Sequence, residues 1–576
     1  MSNPRNRILA STALALVLAA PLGYLAKGHL TAMAATSAEP AVTQFAPANA
    51  TPVNAAPAMV APASEPAAIS NGASGAPASA IEPATSAQPA AATEQQTAIE
   101  PVVAPDPLAA LDPADRAVAE KIRDLLATRG DKLFTAKKER EAVEAFYQNR
   151  NLAPLWLDKG IENARAEAVI ARMKNADADG LEPGDYKAPS FSGLAPDALA
   201  EAELRLTRAV LTYARHVQAG RFPYTRVSKN IELPQAAPEP ADVLSSVADA
   251  VNAGKALDAY SPQNQHYRQL KAALADLRGK PGASKGQIET ITANMERWRW
   301  YPRDLGNAYS LVNLPDFTLR VMHNGGQVWT TRIVIGKPSM ATPLLSETMK
   351  YLTVNPTWTV PQSIVRNEYL PALAQDPTVL DRMGLRVSYS GGGVTITQPP
   401  GDGNALGRVR FSFNNRFSVF QHDTPDKGYF NDTVRAYSHG CMRVQDPPKY
   451  AEVLLNIARP SEHWTAEKIR KMYGGAERDL QLQQASIWVH LTYQTAFVDN
   501  SGKLEMRRDI YGLDSRTIAA IKSERGHLEQ APERKREEIA TAPRKPTAPA
   551  ARTSALPQST YTTPGYARQL PPSIFR

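Results

Sequence analysis

The chain has 576 residues with 47 prolines, a single cysteine and a formal charge of +8 from 65 Lys/Arg against 57 Asp/Glu. That length exceeds one core and predicts two to four folded units unless much of the chain is unfolded, and one cysteine excludes an internal disulfide framework. The middle of the chain has no Lys/Arg stripe with interleaved aromatics, which argues against nucleic-acid binding, and from Arg525 onward nine Lys/Arg face four Asp/Glu, so the excess charge is mainly a property of the tail.

Arg5 and Arg7 precede an apolar run from Ile8 to Ala20, and Ala32-Met33-Ala34 offers a small-residue cleavage site, the layout of a secretory signal over residues 1–34. An uncleaved membrane anchor is the alternative, because apolar character continues through Pro21-Leu22-Gly23-Tyr24-Leu25. Either way the chain is sent to an oxidising compartment, where a free thiol is a liability unless used or hidden. Residues 35–112 are rich in Ala, Pro, Ser and Thr with scarcely an aromatic. They hold too little apolar surface to offset ordering entropy and are expected to be a disordered tether.

From Pro113 the pattern turns helical. Val118, Ile122, Leu125 and Leu126 share one face, "REAVEAFYQNRNLAPLWLD" follows, and a further helix is predicted over Asp197–Ala219. Its inward face is Leu204, Thr207, Val210, Leu211, Ala214 and Val217, with Gly220 as its stop. Residues 113–285 are therefore expected to form a mainly helical domain. "ADADGLEPGDY" hints at a calcium loop through Asp177, Asp179 and Gly180, but the third acidic ligand and the later glutamate are missing, so a helix end at Gly180 is expected. His216 and His266 read as ordinary surface or packed side chains.

From about Met295 to Leu513 apolar and polar residues alternate. "YSLVNLPDFTLRVMHNGGQVWTTRIVIG" carries a hairpin signal at Asn324-Gly325-Gly326. Further strand candidates are "KYLTVNP", "LRVSYS", "GVTITQ", "VRFSF", "FSVFQH" and "SIWVHLTYQTAFVD", with a helix over Pro448–Arg459. A segment from about 355 to 408, holding Pro361, Pro371 and Gly391-Gly392-Gly393, looks like an insertion that forms a mobile cap. The predicted class is α+β: a helical scaffold, then a strand-rich, β-sandwich-like domain over 295–513 with a lid, then a disordered, basic, Pro-rich tail over 525–576.

The lone cysteine is Cys441. An unperturbed thiol, with a pKa of about 8.5, needs a base to act as a nucleophile at neutral pH. His422 ends the strand candidate "FSVFQH", a rigid place from which to aim a base, and His439 stands two residues before the thiol. Ser438 and Gly440 allow a turn whose N–H groups point at a developing oxyanion, and Arg443 adds a fixed positive charge that would hold a substrate carboxylate or favour the thiolate. The plainer alternatives are an inert buried cysteine and a His439 that only holds the loop. No paired ligand spacing supports a metal site. Tyr437 and Trp358 are candidate cleft walls or simply packed aromatics.

"HDTPDKGYFNDTVRAYSHGCMR" resembles the signature of the L,D-transpeptidase family of the YkuD type: a histidine, fifteen positions from 423 to 437, then Ser438-His439-Gly440-Cys441 followed by Met442 and Arg443. "NPTWTVP" and "VFQHDTP" are similar to the larger Gram-negative members, which have a helical scaffold domain and a capping insertion. The resemblance spans about Leu111 to Leu513. It departs from those members between Leu277 and Met295, where there is no room for the small peptidoglycan-binding module they often carry.

The resemblance implies that Cys441 attacks the carbonyl of the third residue of a peptidoglycan tetrapeptide stem, expels D-alanine and forms a thioester that an amine of a second stem resolves, a 3→3 cross-link. It implies His422 as base, His439 lining the site, Gly440 and Cys441 as oxyanion donors, and Ser438, Arg443, Tyr437 and Trp358 around the substrate. No cofactor is implied. The partners would be peptidoglycan stems in the periplasm, with sensitivity to carbapenems, no nucleic acid, and membrane contact only through an uncleaved signal or the basic tail. The same acyl-enzyme would also serve transfer to an outer-membrane protein or hydrolysis of the stem. Outside that chemistry stands a wall-binding scaffold whose thiol is incidental.

Overall fold

The computed structural model describes residues 107–523 apart from 392, 483 and 484. The expected signal, nearly all of the tether and the basic tail lie outside the described residues. Within them, regular structure begins earlier than expected: Pro107–Ala110 is a 3-10 turn with Leu108 buried. Arg116 donates to the carbonyls of Leu108 and Ala109, so one apolar side chain and one guanidinium recruit the last residues assigned to the tether.

Five longer helices, followed by the single turn Ala253–Ala256, build the first part: α1 Pro113–Leu133, α2 Lys137–Asn149, α3 Ala164–Lys174, α4 Pro196–Ala219 and α5 Pro240–Asp249. Asp112 caps α1 by accepting from the Ala114 N–H ahead of Pro113, an N-terminal arrangement that proline favours. All six residues predicted to face inward from α4 are buried. The helix stops at Gly220, at φ +91°, where a side chain would strike the Glu296 carboxylate. Glu203 of α4 is fully buried and accepts from the Tyr147 hydroxyl and the Leu155 and Trp156 N–H groups. The "ADADG" segment is a 3-10 turn that ends at Gly180, at φ +69°. Its Asp179 is buried between Arg172 and Lys271 and accepts from Ser261.

Two more helices, α6 Gln265–Arg278 and α7 Lys285–Trp298, fill the stretch judged too short for an extra module. The strand-rich region therefore starts later than Met295, at Ala308. Trp298 and Trp300 leave α7 to join the core of the sheet, and buried Arg297 pairs with Asp514 at 2.6 Å. That aspartate belongs to the closing helix, Leu513–Ser523.

Apart from the short pair Leu157–Asp158 with Ile161–Glu162 and the short strand Ile231–Glu232, which lies parallel beside Leu344–Val354, the strands in chain order are β1 Ala308–Asn313, β2 Thr318–His323, β3 Gly326–Gly336, β4 Leu344–Val354, β5 Trp358–Thr359, β6 Arg386–Ser390, β7 Gly393–Gln398, β8 Val409–Phe413, β9 Gln421–His422, β10 Ala436–Ser438, β11 Met442–Val444, β12 Arg478–Gln481, β13 Trp488–Thr492, β14 Ala496–Val498 and β15 Leu504–Met506. The main sheet runs β8-β9-β11-β3-β2-β1-β13-β4-β12, with β10 added beside β3. Because β8 also pairs with β4, the two layers expected of a sandwich belong to one sheet that closes on itself. Asn324 at φ +51° and Gly325 at φ +77° make the predicted hairpin turn between β2 and β3. The last strand candidate is broken at Tyr493–Thr495 into β13 and β14. The predicted helix over Pro448–Arg459 is found at Pro447–Ala458, here α8.

The insertion is a small folded unit. Strands β5, β7 and β6 form an antiparallel sheet, and Val360, Val365, Leu380 and Ile396 share a separate apolar core with Trp358. One turn of it, Val365–Tyr369, is π-helical, a local widening that often accompanies function.

Three buried histidines, His216, His422 and His490, and the half-buried His266 make stability depend on acid. Burial holds His216 well below its usual pKa, His266 and His490 at about 4, and His422 at about 3. Below about pH 6.5 the unfolded chain binds protons that the folded chain refuses, so stability present above that pH is lost as pH falls toward 4. Glu203 has the opposite sign, since burial raises it to about 7 and its contribution is lost as pH rises through 7. His266, His422 and His490 each cost about 2 kcal/mol by pH 5, which together outweighs the single opposing Glu203. The melting temperature is expected to be lower at pH 5 than at pH 7; an equal or higher value at pH 5 would contradict this assignment.

Candidate active site

The site is built where β9 lies between β8 and β11. Only the last two residues of the predicted strand "FSVFQH" are strand. Phe417–Phe420 instead turns around Asn415, whose side chain accepts from the Phe417 and Val419 N–H groups and donates to the Phe413 and Val419 carbonyls, with Ser418 at φ +55°. A side-chain amide thus satisfies the backbone that a ladder would have used.

Strands β9 and β11 run parallel, with Gln421 beside Met442 and His422 beside Arg443. Gln421 and Met442 are wholly buried in the core. Alternation therefore turns His422 and Arg443 to the opposite face, and Cys441, two residues before Arg443, to that same face. The register sets His422 beside Arg443, whose charge acts on both the imidazole and the Cys441 thiol.

His422 is buried, and its Nδ1 lies 2.5 Å from the Asp423 carbonyl oxygen. A carbonyl only accepts, so Nδ1 carries the proton and Nε2 the lone pair. Burial, then the Arg443 charge, holds the imidazole pKa down to about 3. Burial pushes the half-buried Cys441 thiol up to about 11, against smaller opposing effects of the Phe420 backbone and Arg443. At neutral pH the resting pair is a neutral imidazole and a thiol, which suits general-base removal of the proton during attack.

Asp423 was missed by sequence reasoning, although it adjoins the histidine. Its carboxylate accepts from the Arg408 N–H at 2.8 Å, the Thr424 N–H at 2.7 Å and the Lys427 ammonium, fixing the backbone whose carbonyl sets the His422 tautomer.

The turn before the thiol corrects two expectations. Buried Ser438 donates to the Cys441 carbonyl at 2.5 Å and accepts from the Gly440 N–H at 3.2 Å. Ser438 is therefore a strut of the turn, and the Gly440 N–H is engaged within it. Among the described residues the Cys441 N–H has no acceptor. Gly440 stands at φ +120°, while a Cβ there would meet nothing closer than Val419 at 3.6 Å, so conformation rather than space requires glycine. Thr342 fastens the turn by donating to the Gly440 carbonyl at 2.7 Å and accepting from the Gly336 N–H at 2.9 Å.

The remaining predicted residues divide. Arg443 pairs with Asp426 at 3.4 Å and lies over the Tyr429 ring. Tyr437 is exposed and donates to Asp432 at 2.7 Å. Trp358 is packed edge-to-face against Tyr369 at 6.4 Å in the core of the cap and is a structural residue there, not a cleft wall. His439 projects outward, its Nε2 2.8 Å from a Glu368 carboxylate oxygen on the π-helical turn of the cap. A groove of about 480 Å³ runs beside this turn, lined by His439, Gly440, Met340, Phe417, Tyr511 and Arg516.

Glu368, 71 residues upstream of His439, carried no sequence signal. Both partners are partly exposed, and such pairs contribute about 0.2–1 kcal/mol. Glu368→Ala is therefore expected to slow modification of the thiol by less than about tenfold without changing the melting temperature. A loss of a hundredfold or more would show that the carboxylate takes part directly.

Residues 307–469 match the family profile of the L,D-transpeptidase catalytic domain, and residues 141–274 that of the scaffold domain. A curated protein of Haemophilus influenzae named "Putative L,D-transpeptidase" is 26% identical over 400 residues, covering 64% of this chain and 77% of that protein. Among solved structures, an L,D-transpeptidase from Mycobacterium smegmatis has 11% identity and a TM-score of 0.18 over 32% of this chain and 59% of that one. An Enterococcus faecium L,D-transpeptidase with a cysteine-to-serine substitution has 12% identity and a TM-score of 0.16 over 49% of this chain and 98% of that one. Among the described residues no helix is long and apolar enough to cross a membrane. On the two profile matches, the chain carries a YkuD-type L,D-transpeptidase catalytic domain joined to a scaffold domain.

Proposed function

We propose that this chain is a peptidoglycan L,D-transpeptidase of the periplasm that forms a thioester on Cys441 and passes it to an amine of a second stem. The observation that carries the reading is the shared sheet face of Cys441 and His422, with the imidazole lone pair on Nε2 and the Cys441 N–H unengaged. His422 Nε2 takes the thiol proton as sulfur bonds to the carbonyl carbon of the third stem residue. The Cys441 N–H faces the oxyanion that develops. Collapse breaks the bond to D-alanine, whose amine leaves with the proton held on Nε2. The acceptor amine then attacks the thioester and gives a proton to Nε2, and the departing sulfur recovers it.

Arg443 acts on both groups, since its charge opposes protonation of His422 and favours the thiolate. His439 is a positioning residue held to the cap by Glu368. Carbapenem exposure followed by intact-protein mass measurement tests the nucleophile: a single adduct is expected on the wild-type chain and none on Cys441→Ala. An unmodified wild-type chain, or an adduct on the alanine variant, would contradict it.

A further inference from the structure

A cavity of about 990 Å³, roughly twice the groove beside the His439–Gly440 turn, lies between α6 and α7 and the strands β1, β2, β3 and β13. It sits near the top of the about 300–1,000 Å³ range of small-molecule sites. Its walls are amides and aromatic faces: Gln269 of α6, Gln327 of β3, Asn500 from the 499–502 turn, His266 stacked on Trp298 with centroids 5.3 Å apart, and Phe497.

The charged groups at its rim already have partners. Arg320 pairs with Asp316 at 3.0 Å and covers the Phe497 ring, and Asp499 accepts from the N–H groups of Ser501 and Lys503. The side-chain amides of Gln269, Gln327 and Asn500, which line the cavity, make no hydrogen bond among the described residues. Unmet hydrogen-bonding capacity beside neutral amides and ring faces does not suit a phosphate, a peptide carboxylate or a lipid chain. It suits a ligand with hydroxyl and acetamido groups and apolar ring faces.

We propose that this cavity binds a short, uncharged oligosaccharide of acetamido sugars, the glycan of the wall polymer, an assignment that rests on the peptidoglycan reading above. The bound sugar is not the one that bears the reacting stem. Thr330 lines the cavity and faces the same side of β3 as Val334, which pairs with Arg443. Cys441 lies two residues further along, so six strand residues, about 20 Å, separate the cavity from the thiol. Three extended stem residues reach only about 10 Å. The cavity would hold a neighbouring part of the strand and keep the enzyme on it between transfers.

The test titrates the full chain with the β-1,4-linked tetramer of N-acetylglucosamine by calorimetry, with and without a carbapenem adduct on Cys441. Saturable binding is expected, unchanged by the adduct and by Cys441→Ala, and weakened at least tenfold in a Gln269→Ala/Gln327→Ala variant whose melting temperature is unaltered. No saturable binding, binding indifferent to those two amides, or binding abolished by the adduct would overturn the proposal. Adduct formation is read separately by mass. A chain that forms the adduct but ignores the sugar sinks this proposal alone, and one that binds the sugar but never reacts sinks the transpeptidase reading alone.

Discussion

Alanine at His422 is expected to slow acylation of Cys441 at pH 7 by about 10²–10⁴-fold, the range that a positioned general base contributes. The thiol is pushed up to about 11, so at neutral pH only a minute fraction is thiolate without a base. The imidazole, held at about 3, is neutral and available throughout the physiological range. The wild-type acylation rate should therefore be flat between about pH 5 and pH 8. In His422→Ala the rate should rise about tenfold per pH unit, following the thiolate fraction. A stored thiolate–imidazolium pair would behave differently, with an acid limb for wild type inside that range. Stopped-flow acylation by a carbapenem across pH separates the two, and full activity in the variant would remove His422 from the role.

Gly440→Ala is expected to lower acylation by about a hundredfold, because displacement of reacting groups by about 1 Å costs that much. The cause is the backbone. At φ +120° an alanine is strained by about 1–3 kcal/mol, although its methyl group would have room. The strain is relieved only by moving the turn that Ser438 and Thr342 hold, and with it the Cys441 N–H and sulfur. A fall of several degrees in melting temperature should accompany the loss. Unchanged acylation in a variant of unchanged stability would show that the turn tolerates another conformation.

Much of the site was legible because it is local or set by pairing. His422 ends β9 and Cys441 directly precedes β11, the strand beside it, and α4 displayed its buried face through a 3.6-residue period. Asn324-Gly325 marked a turn that needs positive φ at both positions. What stayed hidden depends on distant partners. "FSVF" alternates like a strand, but the Asn415 side chain captures its backbone. Ser438 and Gly440 were legible as a turn, but which N–H the turn keeps for itself depends on where a hydroxyl points. Glu368 reaches His439 only because the cap folds as its own unit, and Trp358 is needed inside that unit. Helices α6 and α7 carry Trp298 into the sheet core, which no local period at the start of the strands announces.

In the proposed reaction Cys441 carries a stem from one peptide to another amine. Incubating the purified chain with tetrapeptide stems, then analysing products and intact protein by mass, tests it most directly. The expected result is a transient thioester on Cys441, free D-alanine and a dimer joined between third residues, with all three absent from Cys441→Ala. Tripeptide without dimer would contradict transfer while sparing the nucleophile, and dimer formation by Cys441→Ala would remove Cys441 from the reaction.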